Sequence, residues 1–400
     1  MAFELTQADL EPLLLGGAFF GSGGGGTIIS ARNLSKYFKK GKYYPTNKFR
    51  VVSVDEATEG ETVMVAYMGA PEAIDSTKYP IGPVEAAQQV QAKLAAQGRK
   101  LAYVVSPESG ALGFLVAGLV AAKLGLAVID ADGAGRAVPS LPMLTYAAAE
   151  ISPRPTFLVS QGGLAVELNV TPKSGSDGNH GHQQDVSTIV EQMLRPILQD
   201  PDFGEFGGLA MWVMTPKTLQ KALPIRGTLS RALALGREIQ KGKLKTAKSM
   251  IQYLAKNCDL QAKAISEPTT ITAAKVDTTG GFDLGKITLS SKKNTYTVLY
   301  QNESLMAWDS QKSHPIVLAP DSISYFVEGD GQSVYSNGDL VLPNGQINPE
   351  VKDRTIVLLA WQANAALTKP KGIILESFLT LLQSIGYLGP YTPLNALGHK

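Results

Sequence analysis

The period of the apolar positions changes along the chain. Leu10, Leu13, Leu14 and Phe20 share one helical face behind Thr6, a residue suited to cap the first turn, so the spacing predicts a helix that the glycines after it stop. Beyond a basic, tyrosine-rich loop, Phe49 to Val54 reads as a strand. Thr62 to Met68 is a short apolar run, as expected of a strand covered on both faces, and a helix over about Pro83 to Gln97 follows it. The pattern recurs in a strand at Leu101 to Val105, a helix at about Gly110 to Leu124 and a strand at Leu126 to Asp130. Alternation of this kind predicts right-handed crossovers and a parallel sheet.

The second half has a different texture. Helical spacing covers Asp185 to Leu198, Lys217 to Leu223, Thr228 to Gln240 and Thr246 to Lys256, around a strand at Leu209 to Met214. From Thr269 onward the signal is mainly β. Thr270 to Val276, Lys286 to Ser290, Tyr296 to Tyr300, Ile316 to Leu318, Ile323 to Val327 and Thr355 to Trp361 are separated by turn clusters such as Thr279-Gly280-Gly281, and a helix at about Lys371 to Ser384 closes the chain. The expected class is α/β: an N-terminal parallel or mixed sheet flanked by helices, then a second, β-rich α+β domain. Prolines and glycines at Pro153 to Gly163 place the boundary there, giving residues 1–163 and 164–400. There is no internal repeat of solenoid period.

Composition narrows the classes of function. The chain has 400 residues, 44% apolar, with 37 Lys plus Arg against 35 Asp plus Glu, and this near-neutral balance gives no field for nucleic acid or anionic lipid. Cys258 is the single cysteine, which excludes an intramolecular disulfide framework and a zinc site made of several thiolates. Met1 to Thr6 lacks the basic start of a signal peptide, and the most apolar window, Gly110 to Ile129, contains Lys123 and divides into a helix and a strand. A cytoplasmic protein with a small-molecule substrate, and with neither a membrane nor a nucleic-acid partner, is expected.

Ligands of an open parallel sheet collect outside the carboxyl ends of its strands. Here those ends deliver Gly69-Ala70-Pro71-Glu72, Ser106-Pro107-Glu108-Ser109-Gly110 and Asp130-Ala131-Asp132-Gly133-Ala134-Gly135-Arg136 to one rim. Glu108, Asp130 and Asp132 would raise one another's proton affinity and supply acid–base chemistry, or they could together hold a hard divalent metal; each could also simply cap a helix or turn. Arg136 offers a fork for a substrate carboxylate. The run Gly21 to Gly26, with Gly23, Gly24 and Gly25 at its centre, reads equally as an anion-binding nest and as a turn needing positive φ. It lacks the Lys-Ser/Thr of a P-loop and opens no βαβ unit, so no nucleotide cofactor is expected. Thr228, Ser230 and Arg231 sit at a helix start that could hold an anion or merely be well capped. His180 and His182 lie in a Gly/Ser-rich segment that reads as a solvated loop rather than a metal site. His314 reads as ordinary, Cys258 as a structural thiol, and Met211, Trp212 and Met214 as core.

Taken together, Gly21-Ser22-Gly23-Gly24-Gly25-Gly26, Met68-Gly69-Ala70-Pro71, Asp130-Ala131-Asp132-Gly133-Ala134-Gly135-Arg136-Ala137-Val138-Pro139, Gly227-Thr228-Leu229-Ser230-Arg231-Ala232 and Asn302-Glu303-Ser304-Leu305 resemble the S-methyl thiohydantoin desulfurase-like family, whose members are often associated with hydantoinase and oxoprolinase subunits. The Asp-x-Asp-Gly-x-Gly-Arg-Ala segment is the most specific. The chain departs from the family pattern after Glu108, where Ser109-Gly110-Ala111-Leu112-Gly113 stands in place of a Gly-Gly-x-Asn type segment, so a polar substrate contact is missing there. The resemblance implies an N-terminal α/β domain, a β-rich second domain and a cyclic amide or thioamide substrate. Combined with the carboxylates it suggests water attack on the carbon between the ring nitrogens of a hydantoin- or thiohydantoin-type ring. Glu108 or Asp132 would be the base, Asp130 its electrostatic partner or a metal ligand, and the glycine-loop amides the anion stabiliser. The alternative is a non-catalytic ligand-binding or regulatory subunit of a hydantoinase-type assembly; either a homo-oligomer or such a partner would be compatible.

Overall fold

The computed structural model describes residues 2–69, 77–171, 184–279 and 282–397. Its largest sheet has eight strands in the spatial order β1 (Phe3–Thr6), β2 (Lys48–Val52), β5 (Ala127–Ile129), β4 (Leu101–Val105), β3 (Glu61–Gly69), β8 (Phe206–Met214), β6 (Thr156–Ser160) and β7 (Ala165–Leu168). The four strands read from the alternating pattern, β2, β5, β4 and β3, are mutually parallel and form the middle of the sheet. Antiparallel strands extend it: β1 beside β2 at one edge, and β8, β6 and β7 beyond β3 at the other.

Side-chain alternation makes this sheet the centre of two cores. Val63 and Val65 of β3 face helices α1 (Leu10–Phe20), α2 (Ile28–Ser35), α3 (Ile81–Ala95) and α4 (Ala111–Leu124), whereas Met64, Ala66 and Met68 face α5 (Thr145–Ala148), α6 (Gln184–Gln199) and α7 (Pro216–Ala222). Helices α8 (Thr228–Gln240) and α9 (Ala247–Asn257) return to the first face. Thr6 caps the chain's entry towards α1 in a capping box with Asp9.

The second, strand-rich part is a sandwich. Strands β10 (Thr270–Thr279), β11 (Phe282–Ser290), β12 (Thr295–Gln301), β13 (Glu303–Asp309) and β14 (Val317–Leu318) form one antiparallel sheet. The other holds β9 (Lys263–Ala264), β15 (Ser322–Val327), β16 (Val334–Tyr335) and β17 (Ile356–Trp361). Ile287, Leu289 and Val298 meet Ile323, Tyr325 and Leu358 between them. The outer face of the smaller sheet packs on α1, where Trp361 stacks on Phe19 with ring centroids 5.1 Å apart.

Several elements depart from the sequence reading. β1 and α2 stand in segments read as helix approach and loop, because four and eight residues are too short for the period to register. Thr156–Ser160, read as a connection between domains, is a fully buried strand of the large sheet. β8, from the second half of the sequence, lies between β3 and β6, so the sheet draws on both sides of that boundary. Among the described residues no helix is long and apolar enough to cross a membrane. His180 and His182 lie outside the described residues, as do Ala70-Pro71-Glu72 of the first rim segment.

Helix α1 reaches the site because glycines allow it to. A Cβ at Gly16 would collide with the Ala232 carbonyl of α8, one at Gly236 of α8 with the Pro12 carbonyl, and one at Gly17 with the Gly110 carbonyl at 2.6 Å. Backbone therefore touches backbone along α1–α8 and at the start of α4. Gly236→Ala should destabilise the fold by about 1–3 kcal/mol through overpacking, read as a lower thermal midpoint.

Candidate functional site

Strand β4 stops at Val105 and the chain turns through Ser106 to Gly110 into α4. Two bonds fix the turn: Ser106 Oγ donates to the Glu108 carbonyl at 2.8 Å, and the Tyr146 hydroxyl donates to the Ser106 carbonyl at 2.9 Å. The turn presents Glu108 to a cavity of about 250 Å³ beyond the carboxyl ends of β3 and β4, where the rim rule places ligands. The glycine loop Gly23 to Gly26 lines the same cavity, with Leu112 and Gly113 at the start of α4.

A second carboxyl enters from the other half of the chain. Glu303 opens β13, lines the cavity, and is 4% exposed with Oε2 lacking a hydrogen-bond partner. It follows Asn302, whose φ of 55° is a left-handed conformation that asparagine tolerates. The Asn302 side chain accepts from the Asp283 N–H at 2.8 Å, while its carbonyl accepts from Asn337 Nδ2 at 2.8 Å. Gly24 leaves room for the Glu303 carboxyl, which a Cβ there would overlap, and the Gly25 N–H supports its charged form.

Burial, and next the neighbouring Glu303 charge, push the Glu108 carboxyl well above the usual carboxylate range; the Val138 N–H, which donates to Glu108 Oε2 at 2.7 Å, opposes this. Burial raises Glu303 to about 7 against the pull of the Arg136 guanidinium. Burial also lowers Arg136 to about 10, countered by Glu303, Asp321 and Glu108. The pair therefore carries fewer than two negative charges near neutrality.

Arg136 corrects an expectation. Its guanidinium is 1% exposed and donates to the carbonyls of Ala137 at 2.9 Å, Pro320 at 3.0 Å, Asp321 at 2.8 Å and Ser304 at 2.9 Å. With four of its N–H groups on carbonyls it joins the Asp-x-Asp-Gly loop to the sandwich instead of clamping a substrate. Asp132 is likewise fully buried: it accepts from Ser109 Oγ at 2.7 Å and from the N–H groups of Ala134 at 2.9 Å and Gly135 at 2.5 Å. Burial raises its pKa against these bonds.

Asp130 turns to α8, which starts after Gly227 and so has no side-chain cap of its own. Its carboxylate accepts from the Ser230 N–H at 3.0 Å and from the Ser230 hydroxyl. Arg231 donates to the Arg226 carbonyl at 3.3 Å. Among the described residues lining the cavity, Asp130, Asp132, Arg136, Thr228, Ser230 and Arg231 do not figure, so Glu108 and the glycines are the expected site residues that reach it. The glycine amides do not form an open nest: the Gly24 N–H donates to the Gly21 carbonyl at 2.9 Å, and the Gly25 N–H serves Glu303. The side-chain oxygens of Asp130 and Asp132 are thus taken by donors, and among the described residues no group of three or more His, Cys, Asp and Glu side chains is arranged to hold a metal. Burial pushes the Cys258 thiol up to about 11, away from nucleophile chemistry.

Family models assign the chain. The S-Me-THD-like N-terminal domain matches residues 8–170 and the S-Me-THD-like C-terminal domain residues 184–390. The chain belongs to the S-Me-THD-like family. A crystal structure of a protein from Chromobacterium violaceum is 58% identical, superposes with a TM-score of 0.90, and is matched over 98% of this chain and 100% of that one. No curated protein matches. In this S-Me-THD-like chain Glu303 was the residue that sequence reasoning missed as chemistry, although the Asn302-Glu303-Ser304-Leu305 segment carried part of the resemblance.

Two outcomes follow from these contacts. Arg136→Lys should lower stability by about 2–4 kcal/mol, since an ammonium cannot serve all four carbonyls, and chemical denaturation reads the loss. Glu303 binds its proton more tightly folded, at about 7, than at its ordinary 4.5. Its contribution to stability is therefore largest below pH 4.5 and declines as pH rises through 7, by up to about 3 kcal/mol. Glu303→Gln should remove that decline in denaturation curves taken from pH 5 to 8.

Proposed function

We propose that the protein is a hydrolase of a hydantoin- or thiohydantoin-type ring, with a ring bearing an S-methyl group on the carbon between its nitrogens as the expected substrate. The carrying observation is the meeting of Glu108 and Glu303 in one cavity, both with raised proton affinity. Two carboxyls so placed supply a proton donor and a base at the same pH. Met64, Met68, Leu112, Val116 and Leu209 give the cavity an apolar wall for the ring and its methylthio group.

Ionised Glu303 accepts a proton from water as the water oxygen bonds to the ring carbon, and protonated Glu108 donates to the adjacent ring nitrogen. When the tetrahedral adduct collapses, the C–S bond breaks and a C=O bond forms. The hydroxyl proton passes to Glu108, and methanethiolate leaves with the proton held by Glu303. Both carboxyls end as they began, and the products are a hydantoin and methanethiol.

Incubation of the protein with an S-methyl thiohydantoin should release methanethiol, detected with a thiol reagent, and a hydantoin identified by mass. Glu108→Gln and Glu303→Gln should each lower kcat by about 10²–10⁴ while substrate Kd changes little. Saturable ligand binding by the wild-type protein with no thiol released would instead assign it a binding or regulatory role.

A further inference from the structure

Resting on that reading, we infer that Glu191 of α6 is a positioning residue for Glu108, acting through the rigid segment Val138-Pro139-Ser140-Leu141. Its Oε2 accepts from Ser140 Oγ at 2.6 Å and from the Leu141 N–H at 2.8 Å. Its Oε1 accepts from Arg195 at 2.7 Å, and Arg195 in turn donates to the Pro139 carbonyl at 3.4 Å and lies 3.8 Å from the Phe282 ring centroid. One partly buried ion pair on α6, both members of which also line the cavity, therefore grips the segment at three successive residues. At the segment's other end the Val138 N–H donates to Glu108 Oε2. Pro139, with φ fixed by its ring, transmits the placement of Ser140 and Leu141 to Val138.

The grip has a consequence that packing alone does not have. A hydrogen bond to the ionised form of a carboxyl lowers its pKa, so releasing the segment weakens the Val138 bond and sends Glu108 further up. Merely deleting the negative charge of Glu191 would move a neighbouring acid the other way. Among the described residues the other charged or titratable groups acting on Glu108 are Glu303, Asp132, Arg136 and Tyr146, and Glu303 in turn feels Arg195. Glu191→Gln removes a bond to that arginine, whose charge lowers the neighbouring acid, so an upward movement of Glu108 runs opposite to the charge effect, and Ser140→Ala alters no charge at all.

The test is a carbon-13 NMR titration of the glutamate carboxyls in the full-length protein, with the Glu108 resonance assigned by its loss in Glu108→Gln. In Glu191→Gln the Glu108 titration should move to higher pH. Ser140→Ala, which removes one grip without altering charge, should move it in the same direction by less, and it serves if Glu191→Gln fails to fold. An unchanged or lower titration in the folded variants overturns the inference. This readout needs no substrate, so it stands apart from the fate of the proposed reaction. If turnover of S-methyl thiohydantoin is found, Glu191→Gln should also reduce kcat about tenfold, with the pH limb that reports Glu108 displaced in step with the titration.

Discussion

The buried guanidinium of Arg136 is the constraint to which the site is fitted. A cation withdrawn from water is costly unless its donors and charge are answered, and here carbonyls from residues 137, 304, 320 and 321 answer the donors while Glu108, Glu303 and Asp321 answer the charge. Those carbonyls come from both halves of the chain, so the arginine stays satisfied only while the Asp-x-Asp-Gly loop and the sandwich are docked. The same charge restrains the proton affinity of Glu303, which would rise further without it.

Asp321 shows how far this docking extends. Its carboxylate accepts from the Ala363 N–H at 2.8 Å, the Leu394 N–H at 2.7 Å and the Tyr391 hydroxyl at 2.7 Å, tying the C-terminal segment beneath the arginine. On the other side Ser22 and Gly23 accept backbone bonds from Ser304 at 2.8 Å and Asn337 at 2.7 Å, so the glycine loop is held by the second half of the chain as well. Ser22 Oγ also receives the Ile323 N–H at 2.9 Å. The cavity is thus a product of the interface between two family domains: Glu108 comes from the first, and Glu303, with Glu191 and Asp283 also on the lining, from the second.

Asp130 and Asp132 illustrate a division of labour among acids that share a rim. Both are answered by hydroxyl and backbone donors, and each steadies a structure: Asp130 the start of α8, Asp132 the turn through Ala134 and Gly135 together with Ser109 beside Glu108. Asp339 does the same for α2, taking the Ile28 N–H at 3.1 Å while bonded to Ser336. Glu108 and Glu303 differ in lining the cavity, where Glu303 Oε2 has no hydrogen-bond partner; desolvation raises their proton affinity as it does that of Asp132.

The sequence by itself determined the parallel strands and most of the helices around them. Val63 and Val65 alternating with Met64 and Ala66 require a strand buried on two faces, and the spacing in Thr228 to Gln240 requires a helix, because both periods arise from the local chain geometry. It also placed Glu108 at the rim, since a residue just after a parallel strand can lie nowhere else. Which acid faces the cavity was decided only by tertiary structure. Asp130 and Asp132 stand two apart in sequence, but their bonds depend on Ser230 and Ser109, and Glu303 is separated from Glu108 by 195 positions. The short strand β1 and the buried β6 needed their neighbours in the sheet to define them, and Arg136 needed carbonyls that the chain supplies some 170 residues later. Contacts of that range leave no period in the sequence, because they are chosen by packing and desolvation once the halves meet rather than by the conformational preference of adjacent residues.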